Sequence, residues 1–146
     1  MVEERIRGRL QHQRPQQEPT FPQAHLAEQV RQAVGNVDVL TIGITGEDIY
    51  LRSVNWQYAF GWRSDDRVAI VSYARMDPRF FNGAEDVDLL HRRLRHMVTK
   101  DLGLMLFKLP VSSDRASPMY QDIGGLEELD AMGENLARAG FLIARR

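Results

Sequence analysis

The chain holds four histidines, His12, His25, His91 and His96, and no cysteine. A water-activating zinc site built on one helix needs two imidazoles one helical turn apart, so that both reach one ion from the same face. His91 and His96 are five residues apart, which on a helix sets their rings roughly 140° apart in azimuth. They cannot share a metal, and both read as polar-face histidines beside arginines. His12 falls in a polar loop and His25 in the first turn of a helix, where each is expected to be solvated. The absence of cysteine excludes disulfides, thiolate zinc sites, iron–sulfur clusters and a cysteine nucleophile.

Two other groupings could do chemistry. Lys100 and Asp101 are adjacent. A buried lysine can serve as a base when desolvation lowers its pKa. No nucleophile or second acid stands beside the pair, and a lysine far along a helix also suits the helix dipole. The run His91-Arg92-Arg93-Leu94-Arg95-His96 is the one basic patch. Binding of single-stranded nucleic acid calls for aromatic residues interleaved with the cations. None is present, and the acidic run Glu85–Asp88 just upstream cancels the field. The patch reads as a salt-bridged helix surface.

The elements that must carry these residues follow from periodicity and turn chemistry. Residues 11–20, QHQRPQQEPT, are polar with two prolines and read as a flexible surface loop, with a weak strand at Arg5–Leu10 before it. A helix opens with Pro22 at its first position, carries the stripe Leu26, Val30 and Val34, and closes at Gly35-Asn36. VDVLTIGIT (37–45) is apolar almost throughout, which predicts a central strand covered on both faces. Gly46-Glu47-Asp48 is a turn and Ile49–Leu51 a short strand. WQYAFGW (56–62) and VAIVSYAR (68–75) read as a hairpin across the polar turn Arg63-Ser64-Asp65-Asp66. Asn82, with Glu85 as capping-box partner, predicts the start of a long helix over 83–106. Its apolar stripe is Val87, Leu90, Leu94, Met97, Val98, Leu102 and Met105. Residues 110–125 are loop, and Leu126, Leu129, Met132, Leu136 and Ala139 predict a last helix that Gly140 closes. The order implies an α+β fold, with α/β character, as a single domain over 1–146.

Composition agrees with that size. At 146 residues and 43% hydrophobic, the chain can bury a core without a disulfide or metal to hold it. Nineteen basic and twenty acidic residues leave a net charge of -1, so no global field points to a nucleic-acid or membrane partner. MVEERIRGRL lacks the apolar stretch of a secretion signal. No apolar run approaches the roughly 20 residues of a membrane span. A soluble cytoplasmic protein is expected.

Residues 46–79, GEDIYLRSVNWQYAFGWRSDDRVAIVSYARMDPR, resemble the central segment of the archaemetzincins, a family of zinc-dependent metallopeptidases. That segment runs D-[IL]-Y, an aromatic strand containing F-G, and V-A-[IV]-[IV]-S-x-A-R. The family continues with a long helix ending in H-E-x-x-H-x-x-G-x-x-H, a Met-turn, and a helix opening with L-E-E-x-D. Here the long helix is followed by Ser117-Pro118-Met119-Tyr120 and then Leu126-Glu127-Glu128-Leu129-Asp130. The resemblance covers about residues 20–135. It implies a metzincin-like domain: a small mixed, twisted sheet, a helix before it, a long active-site helix, a Met-turn-like loop and a C-terminal helix.

The same resemblance implies that the zinc site is gone. Setting VTKDLGLMLF (98–107) against the metal motif puts Lys100 at the first histidine, Asp101 at the glutamate, Leu104 at the second histidine and Pro110 at the third. No histidine follows His96, so the motif is absent in every register. Ser117 stands for one cysteine of the family's second zinc site. Leu104 predicts that packing fills the former cleft, and Met119 becomes a plain core residue. No metal or other cofactor is expected.

Three functions follow. The leading expectation is a catalytically inactive, zinc-free archaemetzincin-like protein that binds an extended peptide or a protein partner. Tyr58, Ala59 and Phe60 would then line the groove. The alternatives are metal-free chemistry around Lys100 and Asp101, and weak binding of nucleic acid or another anionic partner through the 91–100 face.

Overall fold

The computed structural model describes residues 21–34, 39–51, 56–64 and 67–139. The loop expected at 11–20, the strand at Arg5–Leu10 and the helix stop at Gly35-Asn36 lie outside the described residues.

Among the described residues the strands form two three-stranded mixed sheets. The first joins β1 (Phe21–Pro22), β3 (Ile49–Leu51) and β4 (Trp56–Ala59), with β3 central, parallel to β1 and antiparallel to β4. The second joins β2 (Thr41–Thr45), β6 (Val68–Ser72) and β5 (Gly61–Arg63), with β6 central, parallel to β2 and antiparallel to β5. All five residues of β6 are buried, as suits a strand covered on both faces. The described part of the strand predicted to be central at 37–45, β2, is instead an edge among the described residues. β2 is only partly buried and Ile44 is 54% exposed. An apolar run signals burial without saying which strand lies in the middle.

Helix α1 (Gln23–Val34) covers one face and helix α2 (Val87–Met105) the other. The period-two alternation of β6 divides the core between them. Val68 and Ile70 pack with Ala27 and Ile49 on the α1 side, and Val71 packs with Met97, Phe60 and Tyr58 on the α2 side. At Gly43 the α1 layer comes so close that a Cβ would lie 2.8 Å from both Val30 and Ile70.

Four boundaries depart from the sequence reading. Pro22 pairs with Tyr50 as strand, and α1 begins one residue later. WQYAFGW is not one strand of a hairpin. The chain switches sheets at Phe60, so β4 pairs with β3 and only β5 pairs with β6. A strand that changes sheets makes a corner. Asn82 does not cap the long helix. It takes φ 60° and ends the 3-10 turn Pro78–Phe81, and Glu85 pairs instead with Arg79. Asp86 is the cap, accepting from the Leu89 amide at 2.9 Å. The predicted last helix is broken into α3 (Leu126–Ala131) and a 3-10 turn over Leu136–Ala139. At the break the Gly133 amide donates to Ala116 O at 3.0 Å, and a Cβ at Gly133 would lie 2.8 Å from that oxygen.

The buried side of α2 is also not the plain apolar stripe. Val87 is 49% exposed, whereas Arg93, His96 and Asp101 are buried. Arg93 grips Asp130 at the end of α3 through two 2.7 Å bonds and donates a third to Met76 O. His96, expected on the polar face, is 3% exposed, and its Nδ1 lies 2.8 Å from Leu129 O. A carbonyl only accepts, so Nδ1 carries the proton. These polar anchors fix the α2–α3 packing, and periodicity in apolar residues alone does not register them.

Candidate functional site

A cavity of about 220 Å³ opens where β5, the C-terminal half of α2 and the loop 121–124 meet. β5 is the edge strand of its sheet, so one side of its backbone has no strand partner among the described residues. Phe60, Trp62, Met97, Leu104 and Ile123 give the wall its apolar part. Arg63, Lys100, Asp101 and Asp122 give it two positive and two negative groups.

Adjacent residues on a helix diverge by roughly 100°, yet Lys100 and Asp101 both line this cavity. Lys100 Nζ donates to Tyr120 O at 2.5 Å, tying α2 to the residue after Met119. Burial pulls the Lys100 pKa down to about 8, against the opposing pull of Asp101. Asp101 is 7% exposed, and its Oδ2 meets no hydrogen-bond donor. Burial pushes its pKa up to about 6, with Lys100 and Arg63 holding it back. Two oppositely charged groups displaced toward neutrality in one concavity make it a candidate functional site.

The back wall is held by a buried ion pair. Arg75 Nε and Nη2 donate to Asp48 Oδ1 and Oδ2 at 2.7 and 2.6 Å. The Arg75 guanidinium lies 4.1 Å from the centroid of the Tyr58 ring and 5.1 Å from that of Phe80. Tyr58 in turn donates from its hydroxyl to Gly124 O at 3.3 Å, bridging β4 to the loop that closes the cavity. Burial raises the Tyr58 pKa, which keeps that donor protonated.

Below α2, Met119 is fully buried, and a Cβ at Gly103 would overlap its Sδ. The loop carrying it is held by Ser112, whose amide donates to Met119 O at 2.9 Å, and by Ser117, whose Oγ accepts from the Met119 amide at 3.1 Å. Met119 therefore loops back beneath the C-terminal end of the long helix.

Of the residues singled out in the sequence, Tyr58, Ala59, Phe60, Lys100, Asp101 and Leu104 are brought together around the cavity. Pro110 is not among them. It is exposed, beyond the end of α2. Leu104 lines the cleft without filling it, because a cavity persists beside it. Sequence reasoning missed Arg63, Trp62, Asp122 and Ile123, which no motif marked. It also missed the Asp48–Arg75 pair, although both residues stand within the quoted 46–79 segment. The basic run does not form one face: Arg93 is buried against Asp130, Arg95 faces Glu134 at 3.2 Å, and Arg92 is exposed.

The residues at the positions assigned to the zinc motif do not fit a zinc ion. Leu104 and Pro110 carry no ligating atom, and the Lys100 ammonium already donates to a carbonyl. Among the described residues no three His, Cys, Asp or Glu side chains come together as a metal-holding group.

This architecture is an archaemetzincin-like fold. A zinc-dependent peptidase from Methanocorpusculum labreanum (strain Z) superposes over 92% of this chain at a TM-score of 0.61 and 20% identity. Archaemetzincin from Archaeoglobus fulgidus, solved in complex with malonate, superposes over 80% at a TM-score of 0.59 and 16% identity. This chain spans 64% of the length of each. No family model matches the chain, and no curated protein does.

Proposed function

We propose that this chain is a zinc-free, non-catalytic archaemetzincin-like module that binds an extended peptide or a peptide segment of a protein partner. The observation that carries this reading is the cavity against the β5 edge strand. An edge strand recognises an extended chain through backbone pairing, while a neighbouring cavity takes a side chain. The reading places the protein in the cytoplasm. Among the described residues no helix is long and apolar enough to cross a membrane.

The test is a random peptide library panned against the purified protein, with Leu104→Glu as the control. Leu104 is partly exposed and lines the cavity, so glutamate there blocks the site without entering the core. Peptides enriched on the parent and lost on Leu104→Glu are expected. Equal enrichment on both would remove the cleft from the account.

A second reading is favoured by the Lys100–Asp101 pair, whose displaced pKa values suit metal-free acid–base chemistry. It predicts turnover of some substrate that Lys100→Met and Asp101→Asn each abolish with the fold intact. Nucleic-acid binding through residues 91–100 has less support, since Arg93 and His96 are buried there.

A further inference from the structure

Resting on the reading of the cleft as a peptide site, we infer that Arg63 selects an acidic side chain on the bound peptide, two residues before an apolar side chain that sits opposite Gly61. The register of the β5–β6 pair leads there. Directly opposed residues of an antiparallel pair alternate between those that exchange backbone hydrogen bonds and those that do not. Ser72 N donates to Phe60 O at 2.8 Å, and Ser64 N to Val68 O at 2.9 Å. Phe60, Trp62 and Ser64 therefore turn their backbone groups toward β6. Gly61 and Arg63, opposite Val71 and Ala69, are the residues between them. Their N–H and C=O groups point the other way, to the edge that has no strand partner among the described residues. An extended peptide antiparallel to β5 pairs with both, one of its residues opposite Gly61 and another opposite Arg63. Because the strands run in opposite directions, the residue opposite Arg63 comes first in the peptide.

The side chains follow from the same register. Alternation along a strand puts Gly61 and Arg63 on one face. That face is the α2 side, since a Cβ at Gly61 would lie 3.2 Å from Met97 Cε. Directly opposed residues share a face, so the two peptide side chains stand over the cavity. Opposite Gly61 no side chain competes, and Met97, Leu104 and Ile123 supply an apolar wall. About 220 Å³ is below the roughly 300–1,000 Å³ of pockets that enclose a drug-sized ligand, and suits one apolar side chain. Opposite Arg63 the chemistry differs. Arg63 is exposed, borders the cavity and makes no hydrogen bond or ion pair with any described residue. Lys100, the other cation of the wall, donates to Tyr120 O and feels the charges of Asp101 and Asp122. The Arg63 guanidinium thus presents a planar fork of donors, which matches a carboxylate.

The experiment uses the full ¹⁵N-labelled chain, titrated at low salt with short peptides blocked at both ends. The first carries glutamate two residues before leucine. The second has glutamine in place of the glutamate, the third has lysine there, and the fourth exchanges the glutamate and the leucine. The resonances of Gly61, Leu104 and Gly124 report on the cavity. The glutamate peptide is expected to bind the parent about fivefold tighter than the glutamine peptide, the upper end for an exposed ion pair, and tighter than the exchanged one. That preference should vanish in Arg63→Gln and turn toward the lysine peptide in Arg63→Glu. Arg63 is exposed, so neither substitution enters the core, and unchanged resonances of β6 check that the fold holds. Three results would overturn this inference while leaving a peptide site standing: equal binding of the glutamate and glutamine peptides, a preference that survives Arg63→Gln, or an exchanged peptide that binds as tightly or more so. Failure of every probe and of every library peptide to move the cavity resonances would overturn both.

Discussion

Asp101→Asn is expected to make the protein more stable, and only where the carboxyl is ionised. Burial raises the Asp101 pKa from 3.8 to about 6. Each unit of difference between folded and unfolded states corresponds to about 1.36 kcal/mol, so ionised Asp101 costs the fold roughly 3 kcal/mol above pH 6. The sign is the reverse of the usual carboxylate case. The folded state holds its proton more tightly than the unfolded chain, so stability falls as pH rises from about 4 through 6. Below 3.8 the group is neutral in both states and the penalty is absent. Asparagine keeps the shape and removes the charge, but it still buries an amide, so part of the gain is lost. A stabilisation of about 1–3 kcal/mol at pH 7.5 remains, or roughly 2–10 °C in Tm for a chain of this size. Urea unfolding of parent and variant at pH 4, 5, 6 and 7.5 measures it. The gap should open between pH 4 and 6 and be level above 7. A variant less stable than the parent at pH 7.5, or a gap that does not change with pH, would mean that Asp101 has a partner in the folded protein. The case for an unmet acceptor in the cleft would then fail.

Other perturbations reach other parts of the site. Asp48→Ala leaves Arg75 buried without its bidentate partner and should destabilise by about 3–5 kcal/mol, read by chemical denaturation. The same change should release the Tyr58 ring, visible as altered near-ultraviolet circular dichroism. Gly103→Ala forces a methyl into Met119 and should cost about 1–3 kcal/mol through overpacking, although alanine is the better helix former. Met119→Ala empties a fully buried site and should cost about 2–5 kcal/mol. Combined, those two substitutions should cost less than their sum, because the smaller side chain makes room for the methyl. The Lys100 pKa, drawn down to about 8, predicts that stability contributed by this group rises between pH 8 and 10.5. The difference between parent and Lys100→Met should shift over that same window.

Much of the fold was legible because strong local signals agreed with one another. The run VAIVS at 68–72 is β-prone and apolar, and it became the central strand. The long helix, the Met119 loop and the LEELD helix follow in the order that the resemblance implied. The failures share a physical cause: sequence patterns report burial, whereas partner choice is decided by tertiary geometry. Nothing local tells TIGIT that it will stand at an edge among the described residues, or WQYAFGW that the chain will turn a corner at Phe60. His96 and Arg93 look like surface residues because their type is usually exposed. Each is buried here because another element supplies the missing partner, Leu129 O in one case and Asp130 in the other. The cleft was legible in part. Lys100, Asp101 and Leu104 stood out by their positions against a lost motif, whereas Trp62 and Asp122 belong to the site only because β5 and the 121–124 loop converge on α2.

The cleft runs against stability alone. Stability alone would favour filling the cavity and removing its charges, because a buried unpartnered carboxylate costs stability and apolar replacements of ion pairs are often neutral or stabilising. Leu104 is consistent with that course. Lys100 and Asp101 are not, since both remain in the wall at displaced pKa values and Asp101 Oδ2 has no partner. Groups that weaken a fold are retained most readily where they act. The Lys100–Tyr120 bond adds a second consideration. It links α2 to the residue following Met119, so one cation ties helix and loop together. The ammonium can therefore hold the cleft open. A Lys100→Met variant tests that role. If the cavity collapses, Gly61 and Gly124 should shift in the free protein. If it stays open, the free spectrum should hold and only peptide binding should be lost.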